Sequence, residues 1–69
     1  MKIIINGESR KFESTPLRLE VVLRAYGFDL QSKGIALALN ENLLVRSQWV
    51  ETELQEGDHL EIVHARQGG

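Results

Sequence analysis

Sixty-nine residues, 42% of them hydrophobic, make one small domain, near the size at which folding buries only about 60% of the unfolded chain's surface. The chain has no cysteine, which excludes disulfide frameworks and zinc ribbons and leaves stability to packing alone. Eight basic against ten acidic residues give a net charge of −2, which argues against a nucleic-acid surface, where phosphate neutralisation drives affinity.

The lack of cysteine fits a reducing compartment, and Met1-Lys2-Ile3-Ile4-Ile5 runs into Asn6-Gly7 before a signal-peptide apolar region can form, so the protein is expected to be cytoplasmic. The longest apolar run, Ile35 to Leu39, falls far short of the roughly 20 residues a membrane helix needs, and no membrane association is expected.

Lys2 to Asn6 carries three isoleucines and ends at Asn6-Gly7, the dipeptide best suited to the positive φ angles of a type I′ hairpin turn. A return strand over Ser9 to Glu13 follows. Alternation places Ile3 and Ile5 on one face and Ile4 on the other, with Phe12 packing beside the first pair. In Ser14-Thr15-Pro16, Thr15 is a candidate N-cap and Pro16 suits a first helical position, so a helix is expected from there. Leu19, Val22, Leu23 and Tyr26 recur at spacings of three and four and form its apolar stripe; Arg18, Glu20 and Arg24 face water. Gly27 ends it in the left-handed cap conformation.

A polar connection, Asp29 to Gly34, leads to a third strand over Ile35 to Leu39, a turn at Asn40-Glu41-Asn42 and a fourth strand over Leu43 to Arg46. Trp49 and Val50 fall in a loop or single helical turn. Glu56-Gly57-Asp58 is a turn into a last strand from His59 to about Arg66, with Leu60 and Ile62 buried and Glu61 and Val63 outward. The order strand, strand, helix, strand, strand, strand is an α+β arrangement: one helix across a mixed sheet of four to five strands, with the terminal strands adjacent and parallel. This is the ubiquitin-like β-grasp. Residues 1–67 form the domain and residues 68–69 a flexible diglycine tail.

No nucleophile with a base, no paired carboxylates in a cleft and no phosphate-cradling loop has a recognisable spacing, so no catalytic residue is expected. His59 and His64, five apart on one strand, point to opposite faces and cannot chelate a metal together. Glu51, Glu53, Glu56, Asp58 and Glu61 match no calcium-loop spacing and read as a solvated acidic face. Trp49 reads as a core or loop anchor.

What remains is the ending Gly68-Gly69. A terminal carboxylate is inert until it is joined to the phosphate of a nucleotide as an acyl-adenylate, which a sulfur or nitrogen nucleophile then attacks. Glycine lacks a Cβ and lets such a tail thread a narrow channel in an activating enzyme. Arg66, Gln67 and Gly68 would thread the partner's active site, and Gly69 would carry the chemistry. The face opposite the helix, with Ile4, Glu61 and Val63, is the expected docking surface.

Across nearly its whole length the chain resembles the ThiS family of thiamine-biosynthesis sulfur carriers. The resemblance rests on the first hairpin, Asn40-Glu41-Asn42-Leu43-Leu44-Val45-Arg46, the R-x-x-W element Arg46-Ser47-Gln48-Trp49, Glu56-Gly57-Asp58, and the final diglycine. It implies that the chain is a carrier and no enzyme, with no cofactor of its own. An E1-like (ThiF-like) adenylyltransferase would adenylate Gly69 with ATP and magnesium. A sulfur donor such as a cysteine desulfurase would supply the thiocarboxylate, and a thiazole synthase (ThiG-like) would consume it. Carriers for molybdopterin synthesis and ubiquitin-like protein modifiers or interaction modules share the fold and the ending. The small or apolar residues expected before the diglycine are replaced here by Arg66-Gln67.

Overall fold

The structure is a computed structural model that describes residues 1–65. Its elements are β1 (Lys2–Ile5), β2 (Glu8–Lys11), β3 (Leu17–Arg18), α1 (Leu19–Ala25), β4 (Ile35–Leu39), β5 (Asn42–Leu44), a 3-10 helix (Arg46–Glu51), β6 (Glu53–Leu54) and β7 (His59–His64). Five strands form one mixed sheet in the order β2-β1-β7-β4-β5, and β3 pairs with β6 in a small second sheet. The outer strands of the sequence, β1 and β7, lie side by side and parallel, as the β-grasp reading expects.

Both hairpins close on two-residue turns with positive φ at each position. In the first, Asn6 and Gly7 stand at 51° and 82°; in the second, Asn40 and Glu41 stand at 51° and 72°. This is the type I′ geometry, whose twist matches the flanking strands. Because the first turn uses only Asn6 and Gly7, Glu8 already belongs to the return strand and pairs with Ile5. That strand therefore runs Glu8–Lys11 rather than Ser9 to Glu13. Met1 and Phe12 nonetheless exchange both backbone hydrogen bonds beyond its end, and Phe12 packs against the core.

The helix begins three residues later than Thr15 and Pro16 suggested. Leu17 and Arg18 are extended and pair with Leu54 and Glu53, and Leu19 N–H donates to the Thr52 carbonyl at 3.0 Å. Arg18 is the N-cap and makes no side-chain cap bond. The reason is burial: Leu17 and Leu19 are both fully buried, and only an extended Leu17-Arg18-Leu19 step turns both inward before the helical period takes over. The other end follows expectation. Gly27, at φ 86°, donates to Arg24 O and Phe28 N–H reaches back to Leu23 O at 2.8 Å, a Schellman closure. Tyr26 occupies the C-cap, half-buried, instead of extending the stripe.

The core gathers Ile3 and Ile5 from β1, Leu17, Leu19, Val22 and Leu23 from the helical side, Ile35 and Leu37 from β4, and Trp49, Leu54, Leu60 and Ile62. Each such side chain contributes about 1.5–3 kcal/mol on burial. The fourth strand ends at Leu44 rather than Arg46, because Val45 caps the 3-10 helix that brings Trp49 into this core.

Candidate partner-docking face

The strand that leads toward the diglycine is β7, and its alternation is strict through Val63: Leu60 and Ile62 are buried, whereas His59, Glu61 and Val63 are exposed. It sits in the middle of the sheet, with β1 on one side and β4 on the other. On the β1 side the pairing is short. Ile4 and Ile5 lie beside His59 and Leu60, and then the first hairpin turns away at Asn6. The Asn6 carboxamide takes over where the strand stops, accepting from Ile62 N–H at 2.8 Å and donating to Ile62 O at 3.3 Å. A side-chain amide thus substitutes for one further peptide of ladder.

On the other side β4 pairs with β7 over five residues, so that Ala36 lies beside Val63 and Ala38 beside Glu61. Ala38 in turn lies beside Leu43 of β5. Continuing this register by two residues sets Val45 opposite Ala36. The outer face therefore carries two rows across three strands, Val45–Ala36–Val63 and Leu43–Ala38–Glu61. Leu43 is 71% exposed, Val63 59% and Val45 46%.

Of the expected docking residues, the structure places Ile4, Glu61 and Val63 on this one face but brings only the last two together. Ile4 is half-buried and sits beside His59, four residues back from Val63, or about 13 Å along the strand. Sequence reading missed Leu43, Val45, Ala36 and Ala38. Their signals were the apolar run Leu43-Leu44-Val45 and the alternation within Ile35 to Leu39, which reveal their outward members once the register between the two strands is known. Arg66, Gln67, Gly68 and Gly69, with the tail as a separate segment, lie outside the described residues.

The acidic stretch resolves into separate tasks. Glu53 pairs with Arg18 at 3.5 Å, Glu56 accepts from Lys2 N–H, and Asp58 accepts from Gln55 N–H at 2.7 Å and from the Asn40 side chain at 3.1 Å. Among the described residues no group of three or more His, Cys, Asp or Glu side chains is placed to hold a metal ion. His59 faces outward, while His64, on the other face, meets the edge of Phe28 with centroids 5.2 Å apart. Trp49 is the core anchor its type suggests, 3% exposed, with its indole N–H donating to Leu44 O at 2.8 Å.

With this geometry in place, comparison with known proteins decides the family. The profile of the ThiS family matches residues 3–69, from β1 through the diglycine. The chain belongs to the ThiS family. It is 37% identical over 65 residues to the sulfur carrier protein ThiS of Thermus thermophilus, covering 94% of this chain and 95% of that one. It is also 36% identical over 69 residues to a thiazole synthase of Paramagnetospirillum magneticum, of which this chain spans 20%. The crystal structure of the thiamine biosynthesis protein ThiS from Geobacter metallireducens superposes with a TM-score of 0.79 at 24% identity, covering all of both chains. The solution structure of a thiamine biosynthesis protein from the same organism gives 0.77, over all of this chain and 88% of that one. The fold is therefore the ubiquitin-like β-grasp of ThiS. No helix among the described residues is long and apolar enough to cross a membrane.

Proposed function

We propose that this ThiS-family chain is a sulfur carrier for thiazole formation in thiamine biosynthesis, with the Gly69 carboxylate as its reactive group. The observation that carries the reading is the family match, which runs through Gly68 and Gly69. An E1-like adenylyltransferase, using ATP and magnesium, joins the Gly69 carboxylate to the nucleotide phosphate and releases pyrophosphate. The terminal sulfur of a persulfide, such as a cysteine desulfurase carries, then attacks the acyl carbon and AMP leaves; a thiol reductant cleaves the resulting acyl disulfide and is itself oxidised to a disulfide, and a thiocarboxylate remains.

Two further observations support the recipient. One relative is itself named a thiazole synthase, and a fifth of its length aligns with this whole chain, so a domain of this type shares a polypeptide with the enzyme that would consume its sulfur. That favours thiazole over molybdopterin synthesis. The domain's own role is to present the tail: β7 is held on both sides, by β4 along its length, by β1 at its start and by Asn6 at Ile62, and Ala65 N–H still donates to Gly34 O at 2.7 Å just before the tail residues. Arg66, Gln67 and Gly68 are the residues that thread the partner, and the absence of a Cβ at Gly68 and Gly69 permits close backbone approach.

The test is intact-mass measurement of the chain after incubation with an active adenylyltransferase, ATP, magnesium, a cysteine desulfurase with cysteine, and a thiol reductant. The expected result is the mass gain of one oxygen-to-sulfur exchange, localised to Gly69. An unchanged mass, with an enzyme that charges another carrier, would refute the reading.

A further inference from the structure

The root of the tail is held from one side. β7 loses β1 at Asn6, whose carboxamide reaches Ile62 and no further. Beyond Val63 the chain is held from the β4 side: His64 lies beside Ile35, and Ala65 N–H donates to Gly34 O at 2.7 Å, one rung past the ladder. Since Ala65 N–H turns toward β4, alternation turns His64 N–H and C=O to the side that β1 has vacated. The His64 ring supplies the other hold, meeting the Phe28 ring at a centroid distance of 5.2 Å with the planes 72° apart.

Phe28 and Gly34 both belong to the connection from α1 to β4, and that connection is fastened at several points. Phe28 N–H closes the helix end on Leu23 O. Asp29 and Ser32 then lock the next turn: Asp29 N–H donates to Ser32 Oγ at 2.9 Å, the Asp29 carboxylate accepts from Gln31 N–H at 2.8 Å, and the Asp29 carbonyl accepts from Ser32 N–H at 3.2 Å. The Arg46 guanidinium bonds the carbonyls of Leu30 and Ser32, and its 3-10 helix is rooted in the core by Trp49. The result is a fixed ledge beside the end of β7. His64 is exposed and Phe28 only half-buried, so their pairing lies at the surface, where it adds little to the core and bears directly on the exit of the chain.

Resting on the sulfur-carrier reading, we propose that Phe28, Gly34 and His64 form a collar that sets where the tail leaves the domain, and that they are positioning residues for the adenylation of Gly69. Each acts through Ala65 and the tail. Reach gives the collar its effect. With Ala65 held, the four residues after it place Gly69 within about 14 Å; with His64 and Ala65 released, six residues reach about 21 Å from Val63, roughly three times the volume. The effective concentration of the carboxylate at a docked partner's nucleotide falls accordingly. Two freed residues must also be ordered again before the carboxylate can meet the phosphate in a reactive pose. The collar therefore governs the step after docking.

The test is ATP–pyrophosphate exchange by the adenylyltransferase, with the full chain as varied substrate, alongside amide hydrogen exchange at Ala65. His64→Ala is expected to lower kcat about fivefold, the equilibrium factor an edge-to-face aromatic pair is worth, and to leave KM within about twofold. Exchange at Ala65 should accelerate by a similar factor. His64→Phe keeps the aromatic pair and should restore both. Phe28→Leu should reproduce His64→Ala from the other side of the contact, and the double variant should lose no more than either single one, since both break one pair. His64 is exposed, and matching thermal midpoints establish that the fold is kept; if Phe28→Leu is destabilised, the comparison of His64→Ala with His64→Phe decides alone. Wild-type kcat in His64→Ala, a raised KM in place of a lowered kcat, unchanged exchange at Ala65, or a loss in His64→Phe equal to that in His64→Ala would each overturn the collar and leave the carrier reading standing. If the wild-type chain is not charged at all, the carrier reading falls and takes this one with it.

Discussion

The guanidinium of Arg46 lies 4.2 Å from the centroid of the Trp49 ring while donating to the carbonyls of Leu30, at 3.0 Å, and Ser32. The spacing of three has a physical cause. In a 3-10 helix residues i and i+3 eclipse, so Arg46 stands directly over Trp49 within the Arg46–Glu51 turn. The R-x-x-W element is therefore a structural clamp. The indole is plugged into the core, the guanidinium covers its remaining face, and the same guanidinium ties down the loop that delivers the chain into β4.

From this follows a stability prediction. Arg46→Ala removes a stacked cation and two charge-assisted hydrogen bonds at an exposed site, and should lower unfolding free energy by about 1–2 kcal/mol. For a domain of this size that is a fall in Tm of about 4–8 °C for each kcal/mol. Arg46→Lys should recover little, since an ammonium cannot stack flat and reach both carbonyls. Urea titration of the three proteins decides it; a loss under about 0.3 kcal/mol for Arg46→Ala would show that the clamp is ornamental.

Asn6 offers a sharper case because two of its roles make opposite demands. As a turn residue at φ 51° it should be replaceable by glycine at no cost, since glycine is freer there. As the amide that bonds both the N–H and the carbonyl of Ile62, it should not. Asn6→Gly is expected to destabilise by about 1–2 kcal/mol, the net worth of two partly buried hydrogen bonds. Amide hydrogen exchange at Ile62 should accelerate beyond the global change. A neutral or stabilising outcome would mean that the turn role alone matters.

These two residues also mark how far sequence reading carries. The β-grasp was legible because its determinants are local: Asn6-Gly7 for the first turn, the 3-4 spacing of Leu19, Val22 and Leu23, Gly27 for the helix end, and alternation in His59 to His64. The helix start was misread because Thr15-Pro16 is a good local start signal, and what overrides it is tertiary: Leu17 and Arg18 find strand partners in Leu54 and Glu53, distant in sequence. The outer face was legible only in part for a similar reason. Alternation tells which residues of one strand face outward, and so yielded Ile4, Glu61 and Val63. It does not tell which strands are neighbours in which register, and that is what gathers Leu43, Val45, Ala36 and Ala38 around Val63 and leaves Ile4 apart.

Glu41 stands at φ 72°, in the position that glycine holds in the first hairpin. A residue with a Cβ costs roughly 1–2 kcal/mol in that conformation, and glycine gives back about 0.5–1 through its looser unfolded state. Glu41→Gly should therefore stabilise the domain by about 0.5–1 kcal/mol in thermal or urea unfolding. Lower stability would show that the Glu41 side chain supports the turn in a way its geometry does not reveal.

The last expectation concerns the proposed reactive end. Appending a single alanine after Gly69 leaves every described contact of residues 1–65 untouched, so unfolding curves should superimpose on those of the wild type. The carboxylate, however, is moved one residue further, by up to about 3.6 Å, and now sits on a carbon bearing a methyl group. Misplacement of about 1 Å can cost about a hundredfold in rate, so adenylation should fall below detection. KM need not change, because the sheet face proposed to meet the partner is intact, and the extended chain should compete with the wild type for the adenylyltransferase. Normal charging of the extended chain would place the chemistry somewhere other than the Gly69 carboxylate. Failure to compete would place the docking determinants in the tail rather than on the sheet.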